Sequence, residues 1–581
     1  MRITFLGHAG LFVETRGGTI LSDPWFNPAY FASWFPFPAN DAVDVERISR
    51  PDYLYVSHLH YDHMDVRFLR EHVSKETTVI LPGYPLPLLE NRLRDLGFTR
   101  FLPTRHLETV EIDGLRLTVA AMVAPTDGPI GDSGLIVDDG THRLFDQNDS
   151  RPIDLERIRE LGPIDAHFVQ YSGAIWYPFV YAYPDRMLDA LGRKKRANEM
   201  ARALRYIEEF DARWVFPSAG PPCFLDDDLF SINDFDGDPA NTFPDQSVFL
   251  QYLREHGRDN GRLVVPGTAV ELNGGAPEVT HPLPDPEIRD IFEHKREYLA
   301  SYRRRWNARL EEERAAWPRG RVDIVPALKE WFEPLLAKAD VTCAGINGVV
   351  VLDFGEAPED EPGGDRPPGR DGVAIDFQRR CVEPWTDQEW EYYYRMDRAL
   401  VEHCILTHAE DWVNELFLSC RFEARRKGAY NEYVYNFFKC LSMERLQYAE
   451  GFYVEQSPVD QFFEAEGYQI QRRCPHLKAD LSKFGKIEHG ILTCELHGWQ
   501  FELATGRCLT SDDRRLYARR LDGAGEAGGS RGPAHPDGQQ PEAAPPSVEA
   551  SGAAVRTVCG HCWYNPNRFP SGGASGDGGA G

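Results

Sequence analysis

The sequence predicts a multidomain α+β protein with an N-terminal α/β domain, a central, mostly helical region and a small C-terminal domain. Three observations support this fold class. The chain has 581 residues, enough for two to four domains with hydrophobic cores of their own. Residues 1–280 alternate short apolar runs with turns and amphipathic segments. Paired cysteines and histidines then follow in a compact segment near the C-terminal end.

Within residues 1–280, predicted strands and helices alternate in a mixed α/β order. Strands are expected at "RITFLGHAGLFVET", "GTILSD", "DYLYVSHLH", "TTVILP", "LRLTVAAMVAP" and "SGLIVDD". Helices are expected at "DVRFLREHV", "LLENRLRDLG" and "NEMARALRYIEEF". Motif residues stand at the ends of these strands, where loops position functional groups.

Residues 281–450 are expected to form the central helical or mixed region. The segment "EIRDIFEHKREYLASYRRRWNARLEEERAAW" predicts one long charged helix that starts at Asp285–Pro286 and ends at Pro318. "VTCAGINGVVVLDF" and "GVAIDFQRRCV" predict strands, and a helical pattern returns from about Asp387 to Glu450. Residues 451–521 predict the compact C-terminal domain, and the Gly-, Pro-, Ala- and Ser-rich residues 522–581 predict a disordered tail.

Bulk composition argues against several classes of partner. The formal net charge of -27 argues against nucleic acid and against docking on anionic membranes. No apolar run approaches the length of a membrane span, and "MRITFLGHAG" lacks the segments of a secretory signal. The eleven cysteines are scattered and do not form the pattern of a disulfide framework. We therefore expect a cytoplasmic protein.

The strongest chemical signal is "RRCPHLKADLSKFGKIEHGILTCELHGWQFELATGRCL". It contains a Cys-x-His pair, Cys474 and His476, and a Cys-x-x-His pair, Cys494 and His497. Two Cys and two His in two loops can hold a Rieske [2Fe–2S] centre, with the thiolates on one iron and the imidazoles on the other. A Cys₂His₂ zinc knuckle uses the same ligand types but usually keeps the two Cys together and the two His together. The mixed pairs favour the cluster, and "CPH", "HGWQF" and "TGRC" resemble the cluster-binding loops of Rieske proteins. That resemblance implies a small all-β Rieske domain.

A second motif lies in "SHLHYDHMD", residues 57–65, which carries the pattern His-x-His-x-Asp-His. Together with "ITFLGHAGLFVETRGGTILSDPWF" it resembles the metallo-β-lactamase superfamily, and more closely its branch of ascorbate-6-phosphate lactonases and N-acylphosphatidylethanolamine phospholipases. The resemblance covers about the first 230 residues and implies an αββα sandwich. It also implies that His58 and His60 serve one metal ion, and that Asp62 and His63 serve a second.

That superfamily uses three further ligands: a His, a bridging Asp and a last His. No His occurs in "AMVAPTDGPIGDSGLIV", where Asp127 stands at about the place of the first. The expected bridging carboxylate is Asp149 in "LFDQNDS", with Asp127, Asp146 and Asp62 as alternatives. The last His is expected after the strand "RWVFPS", where the chain instead has Ala219-Gly220.

The ligands that survive best are His58, His60 and a carboxylate, with Asp149 favoured. Two His and one carboxylate form the facial triad of non-haem Fe(II) oxygenases. We therefore expect these three to be the catalytic residues and mononuclear Fe(II) to be the metal, with zinc as the alternative. The candidate metal ligands are His58, His60, Asp62, His63, Asp127 and Asp149. His8 and Asp23 are expected to support ligands. A degenerate, metal-free site is the competing interpretation.

A metallo-β-lactamase-like domain joined to a Rieske segment resembles the CMP-N-acetylneuraminate hydroxylases, in which the cluster feeds electrons to an iron site. The Rieske segment is C-terminal here and N-terminal in that family, which leaves the substrate open. The resemblance implies an O₂-dependent oxidoreductase, a monooxygenase or hydroxylase of a small polar substrate such as a sugar or nucleotide sugar. No Gly-x-Gly-x-x-Gly segment follows a strand, so the expected electron donor is external: a ferredoxin, cytochrome or reductase. The alternatives are a metal-dependent hydrolase (lactonase or phosphodiesterase) with a redox-sensing Rieske domain, and a non-enzymatic electron carrier.

Four weaker patterns complete the analysis. "GRKKRAN", residues 192–198, fits a solvated helix start, or contact with a phosphate or sugar-nucleotide substrate or an acidic ferredoxin. The aromatic "DPWFNPAYFASWFPFP" fits a pocket wall as well as core packing or an oligomer interface. His403 and His408 are expected to be buried polar residues. "CGHC", residues 559–562, has dithiol spacing without a βαβ context.

Overall fold

The computed structural model describes residues 1–355, 371–454, 462–476, 479–496, 498–511 and 514–521. The predicted tail with its "CGHC" motif lies outside the described residues, and so does His497.

The N-terminal part consists of two facing sheets flanked by helices. Its strands are β1 (Arg2–Gly7), β2 (Gly10–Thr15), β3 (Gly18–Ser22), β4 (Tyr53–Tyr55), β5 (Thr78–Leu81), β6 (Arg100–Pro103), β7 (Thr109–Ile112), β8 (Leu115–Met122), β9 (Asp132–Asp138), β10 (Arg143–Asn148), β11 (Ala166–Gln170), β12 (Trp214–Ser218), β13 (Ala269–Glu271) and β14 (Glu278–Thr280). Its helices are α1 (Val45–Ile48), α2 (Val66–Glu71), α3 (Leu88–Asp95), α4 (Leu155–Glu160), α5 (Asp185–Phe210) and α6 (Gln246–Glu255), with a 3₁₀ turn at Phe230–Ile232. One sheet has the order β14-β13-β1-β2-β3-β4-β5-β6, and the other has the order β12-β11-β10-β9-β8-β7.

The strand pattern explains why these sheets stack. Side chains alternate between the two faces of a strand, so each sheet offers an apolar inner face. Phe5 and Val13 of the first sheet pack with Leu117 and Phe168 of the second. Helices α2 and α3 cover the outer face of the first sheet, and α5 and α6 cover the second. The result is the αββα sandwich that the sequence predicts.

The central part contains helices and a sheet. The helices are α7 (Asp285–Glu293), α8 (Lys295–Ala316), α9 (Ile324–Leu336), α10 (Asp340–Ile346), α11 (Arg398–Leu406), α12 (Glu432–Lys439) and α13 (Met443–Val454), with a π-helical turn at Val413–Phe417. The strands are β15 (Val349–Gly355), β16 (Asp371–Asp376), β17 (Cys381–Pro384), β18 (Tyr392–Met396) and β19 (Phe422–Arg426), in the order β17-β16-β15-β18-β19. Among the described residues, no helix is long and apolar enough to cross a membrane.

Three local expectations for this part were wrong. The long charged segment is two helices, because the chain turns at His294 between α7 and α8. The residues "DVTCAGI", expected to lie partly in a strand, form α10, which ends at Asn347 in a left-handed conformation. Strands β18 and β19 lie inside the stretch expected to be helical, because each is an inner or edge member of a buried sheet whose pairing outweighs local propensity.

The C-terminal part is small and consists largely of β-structure. It contains β20 (Phe462–Ala465), β21 (Tyr468–Gln471), α14 (Leu481–Phe484), β22 (Gly485–Glu488), β23 (Ile491–Cys494), β24 (Trp499–Glu502) and β25 (Ala518–Arg520). The strands form two three-stranded sheets, β20-β21-β25 and β22-β23-β24. This part packs on α5, where the ring of Phe484 lies 5.1 Å from that of Tyr206 and Lys483 Nζ donates to Glu209 at 2.7 Å.

Candidate metal centre and redox segment

The three residues expected to hold iron lie together at one edge of the sandwich. His58 and His60 follow β4, and Asp149 follows β10. One ligand atom from each lies within 4.8 Å of the others. His58 Nε2 is 2.7 Å from His60 Nδ1. The fold thus brings two His and one carboxylate that are about 90 positions apart in the chain close enough together to be candidate ligands of one metal ion.

A second group of candidate ligands lies beside the first. His8, Asp62 and His63 also bring ligand atoms within 4.8 Å of one another, and His8 Nε2 is 2.9 Å from Asp62 Oδ2. The Oδ2 atom of Asp149 lies 3.5 Å from His63 Nε2, so this carboxylate faces both groups, as a bridging carboxylate does. Sequence analysis expected His8 only to support ligands, whereas the structure places its ring among them.

The chemistry of the donor atoms fits a metal ion. The Nε2 atoms of His60 and His63 and the Oδ1 atom of Asp149 are buried and have no hydrogen-bond partner among the described residues. Buried polar atoms are normally hydrogen-bonded, so a cluster of unpartnered ones calls for an explanation. Imidazole nitrogen and carboxylate oxygen are ligand atoms for iron and zinc alike, and metal bound at the two ligand groups would give these atoms partners.

The electrostatic environment keeps the first pair of imidazoles neutral. Burial, followed by the neighbouring histidines, lowers the pKa of His58 well below its usual value. Burial likewise lowers the pKa of His60 to about 3. A metal binds the neutral form of imidazole, so both rings are ready to ligate at neutral pH. His63 differs: although burial opposes its charging, the carboxylates of Asp149 and Asp62 raise its pKa.

Two aspartates hold the motif loop without facing the cluster of ligand atoms. Asp23 accepts hydrogen bonds from Ser57 N at 2.7 Å and from Ser57 Oγ at 2.6 Å, and its Oδ2 is 2.8 Å from His63 Nδ1. This contact turns His63 Nε2 toward the site, which is the supporting role expected of Asp23. Asp65, the last residue of the motif, caps α2 by accepting from Phe68 N at 2.9 Å.

The other carboxylates considered from the sequence occupy different places. Asp146 accepts from Ser22 Oγ at 2.6 Å and belongs to neither ligand group. Asp127 faces the cavity described below, and its carboxylate accepts from Ala124 N at 3.1 Å.

Asp132 was missed by the sequence analysis. It begins β9, and its Oδ1 lies 3.3 Å from His58 Nδ1. Burial, followed by the charge of Asp149, raises its pKa well above the usual value. The available signal was a carboxylate directly before the buried apolar run "SGLIV". At the place of the last superfamily His, Ala219 N donates to His8 O at 2.8 Å.

The C-terminal segment brings the expected cluster ligands into buried positions. Cys474 follows β21, Cys494 ends β23, and both are fully buried. His476 is 5% exposed and its ring stacks on Trp499, with centroids 4.2 Å apart. Two buried thiols and a buried imidazole are the donor types of a Rieske cluster. The expected fourth ligand, His497, lies outside the described residues.

The central part reaches this segment through Glu432 at the start of α12. Its Oε2 is 2.8 Å from His476 Nε2, and Arg514 also contacts the carboxylate. Burial opposes its ionisation, but His476 and Arg514 together lower the pKa of Glu432. Because Nε2 faces Glu432, Nδ1 is the ring atom that would ligate iron.

Both sets of candidate ligands face one cavity of about 520 Å³. His60, Asp62 and Asp149 of the front ligand groups line it, and so do His476 and Trp499 of the C-terminal part. Rings of the central part, among them Tyr394 and Tyr435, complete the wall.

The structure also places the aromatic loop and the two other histidines that were considered from the sequence. In the aromatic loop, Tyr30 and Trp34 line the cavity, whereas Phe37 packs against the central helices. His403 lies against Phe31 with centroids 5.0 Å apart, and His408 stacks on Trp331 at 4.3 Å. Neither histidine joins a ligand group within the described ranges.

Three family models match the chain. They are the beta-lactamase superfamily domain over residues 18–210, the Rv3818-like, SCP2-like domain over residues 324–455 and the Rieske [2Fe-2S] domain over residues 452–516. These matches confirm the resemblance to the metallo-β-lactamase superfamily and the resemblance to Rieske proteins. They also confirm the expected fold class and the [2Fe–2S] cofactor. The Rv3818-like, SCP2-like match falls largely in the central region.

Similar proteins were found by sequence and by structure. Cytidine monophosphate-N-acetylneuraminic acid hydroxylase of Xenopus laevis is 28% identical over 80 residues, 14% of each chain. The structure of CmlA, a diiron beta-hydroxylase from Streptomyces venezuelae, aligns over 47% of this chain and 54% of its own, with 20% identity and a TM-score of 0.34. A protein of Mycolicibacterium smegmatis that is named a Rieske 2Fe-2S iron-sulfur protein is 47% identical to this chain over 533 residues. The match covers 90% of this chain and 100% of the relative. The chain therefore belongs to the family of these mycobacterial Rieske iron-sulfur proteins.

Proposed function

We propose that the chain is a Rieske-dependent non-haem iron oxygenase. The observation that carries the proposal is the single cavity that both the front ligand groups and the Rieske segment line. A Rieske cluster supplies single electrons, and iron held by two His and a carboxylate supplies a site for O₂ activation. The cluster and its proposed electron acceptor would then lie in the same chain.

The protein's own groups prepare both ends of this cavity. His58 and His60 present neutral imidazoles, and Asp149 adds the carboxylate. Glu432 holds the ring of His476, which lines the same cavity. In the net reaction, one atom of O₂ enters a C–H bond of the substrate and the other leaves as water. Two electrons from an external donor and two protons from solvent balance it.

The front site supports oxidative rather than hydrolytic chemistry. A dizinc hydrolase of this superfamily needs imidazoles where this chain has Asp127 or Asp132 and Ala219. The first ligand group, with two imidazoles and one carboxylate, has the ligand types of non-haem iron oxygenases. The competing hydrolase would use zinc at the same front groups, with the Rieske domain as a redox sensor.

Metal analysis with EPR on anaerobically purified, dithionite-reduced protein tests the proposal. We expect a Rieske-type signal that Cys474→Ala abolishes, and further iron that His58→Ala abolishes while the Rieske signal stays. His72→Ala, which changes an exposed histidine of the same domain, should affect neither. Zinc at the front site would favour the hydrolase, and a front site that never takes up metal would leave an electron carrier.

A further inference from the structure

One wall of the shared cavity carries a cluster of cations. Lys194 and Lys195 lie in α5, Arg202 lies further along the same helix, and Arg151 follows β10. The segment 192–198, expected to begin a helix, lies within α5 and turns two lysines toward the cavity. The chain as a whole has a net charge of -27, so this concentration of positive charge is local.

Acidic groups balance only part of this wall. Glu199 forms ion pairs with two of these cations. Lys195 Nζ lies 3.2 Å away, and Arg202 is in direct contact. Arg202 is further held by the carbonyl of Leu496, at 3.2 Å from its Nη1. Arg151 has no hydrogen bond or ion pair to any residue that the structure describes.

Other acids of the cavity lining act on these cations through space, Asp127 on Arg151 and Asp149 on Arg202. Glu495 also lines the cavity, but Arg205 Nε donates to it at 3.0 Å. Burial, followed by repulsion from Arg151 and Arg202, lowers the pKa of Lys195 to about 7. An anion placed between these groups would relieve that repulsion.

Aromatic rings form another part of the cavity lining. Trp176 stacks at 5.9 Å on Tyr435 and packs at 5.5 Å on Phe417, and all three line the cavity. Tyr394 and Tyr430 extend the same surface. Pockets lined by aromatic rings with a few placed charges bind organic ligands that have an apolar body and a polar anchor.

We propose that the substrate of the proposed oxygenase is an amphipathic organic anion. Its carboxylate, sulfonate or phosphate group binds Arg151 and Lys195, and its flat apolar body lies against the aromatic wall. Arg151 offers the planar fork that suits such oxyanions, and Lys195 adds a point charge. The inference rests on the proposed function for calling the ligand a substrate, whereas binding itself can be measured without turnover.

A matched pair of fluorescent probes tests this class on the cluster-loaded protein. The anionic probe is 8-anilinonaphthalene-1-sulfonate, and the neutral one is N-phenyl-1-naphthylamine, the same ring system without the sulfonate. We expect the wild type to bind the anionic probe more tightly. Arg151→Gln and Lys195→Met should each weaken it by about tenfold, since a charge-assisted hydrogen bond is lost. Affinity for the neutral probe should change by less than about twofold, because no charged contact is involved.

The control is Lys329→Met. Lys329 in α9 pairs with Glu333 at 3.6 Å one helical turn away, as Lys195 pairs with Glu199, but it lies outside the cavity. Its substitution should leave both affinities unchanged. Lys195→Arg, which keeps the charge, should retain the anionic probe, and an unchanged Rieske EPR signal verifies folding of each variant.

The proposal is overturned if the wild type binds neither probe or binds both equally. It is also overturned if Lys195→Met and Lys329→Met have the same effect. These outcomes are independent of the proposed function. A zinc-containing front site together with selective anion binding would refute the oxygenase and leave the ligand class standing.

Discussion

The Nε2 atom of His476 lies 2.8 Å from the carboxylate of Glu432, so a candidate cluster ligand of the C-terminal part is held by the central part. Arg514 contacts the same carboxylate from the C-terminal side. Glu432 is 1% exposed, so its charge acts on the cluster site with little screening by water.

Glu432→Gln should raise the reduction potential of the Rieske centre. A nearby carboxylate disfavours the addition of an electron, and the amide removes that charge while keeping the shape. We expect a positive shift on the order of 60 mV, which corresponds to a tenfold change in a one-electron equilibrium. A redox titration followed by EPR measures it. Glu488→Gln, on an exposed strand of the same part, should leave the potential unchanged; equal potentials in all three proteins would contradict the prediction.

His167 should make the protein less stable in mild acid. It is fully buried in β11, its Nε2 is 2.8 Å from Gln147 Oε1, and burial lowers its pKa to about 3. Since the unfolded state binds a proton near pH 6.5 and the folded state does not, stability falls as the pH drops below 6.5. Between about pH 7.5 and about pH 5.5 this group alone should cost about 1.4 kcal/mol.

Urea unfolding of the wild type and His167→Gln at those two pH values measures this cost. The variant should lose about 1.4 kcal/mol less on acidification than the wild type. His72→Gln, which changes an exposed histidine of the same domain, should lose as much stability on acidification as the wild type does. Parallel losses in wild type and His167→Gln would show that His167 is not the responsible group.

Electron delivery should occur within one chain. Both centres line one cavity of the same polypeptide, so a mixture of metal-replete Cys474→Ala and cluster-replete His58→Ala should not regain function. The measurement is oxygen-dependent reoxidation of the reduced Rieske signal in a stopped-flow instrument. We expect fast reoxidation in the wild type and slow reoxidation in His58→Ala, with or without the second variant. Recovery on mixing would instead show transfer between subunits.

Local patterns predicted the motif loop but not all of its neighbours. His58, His60, Asp62 and His63 are close in sequence, so one loop after β4 is enough to bring them together. Asp149 was favoured through a resemblance in the order of ligands along the chain. Asp132 matched no ligand position in that order. A carboxylate at the start of a strand also has many structural roles, so its position alone did not indicate a ligand.

The central part was predicted less well because its sheet is built from distant segments. β15 pairs with β18 in parallel, Val350 opposite Tyr392, a register that no local periodicity encodes. The cavity has the same origin, since Glu432 and Lys194 contact the C-terminal part only after three parts of the chain have packed together. The sequence therefore identified candidate ligands more readily than it identified the groups that they face.

The C-terminal part forms a wall of the cavity as well as carrying a redox cofactor. A chain cut before β20, by a protease or by truncation of the gene, would lose Trp499 and the backbone that Arg202 binds. Asp149 and His60, which line this cavity, would then be more open to bulk water. Such a fragment would lack the Rieske cluster as a source of electrons, and its front ligand groups would also be more accessible to water than those of the whole chain.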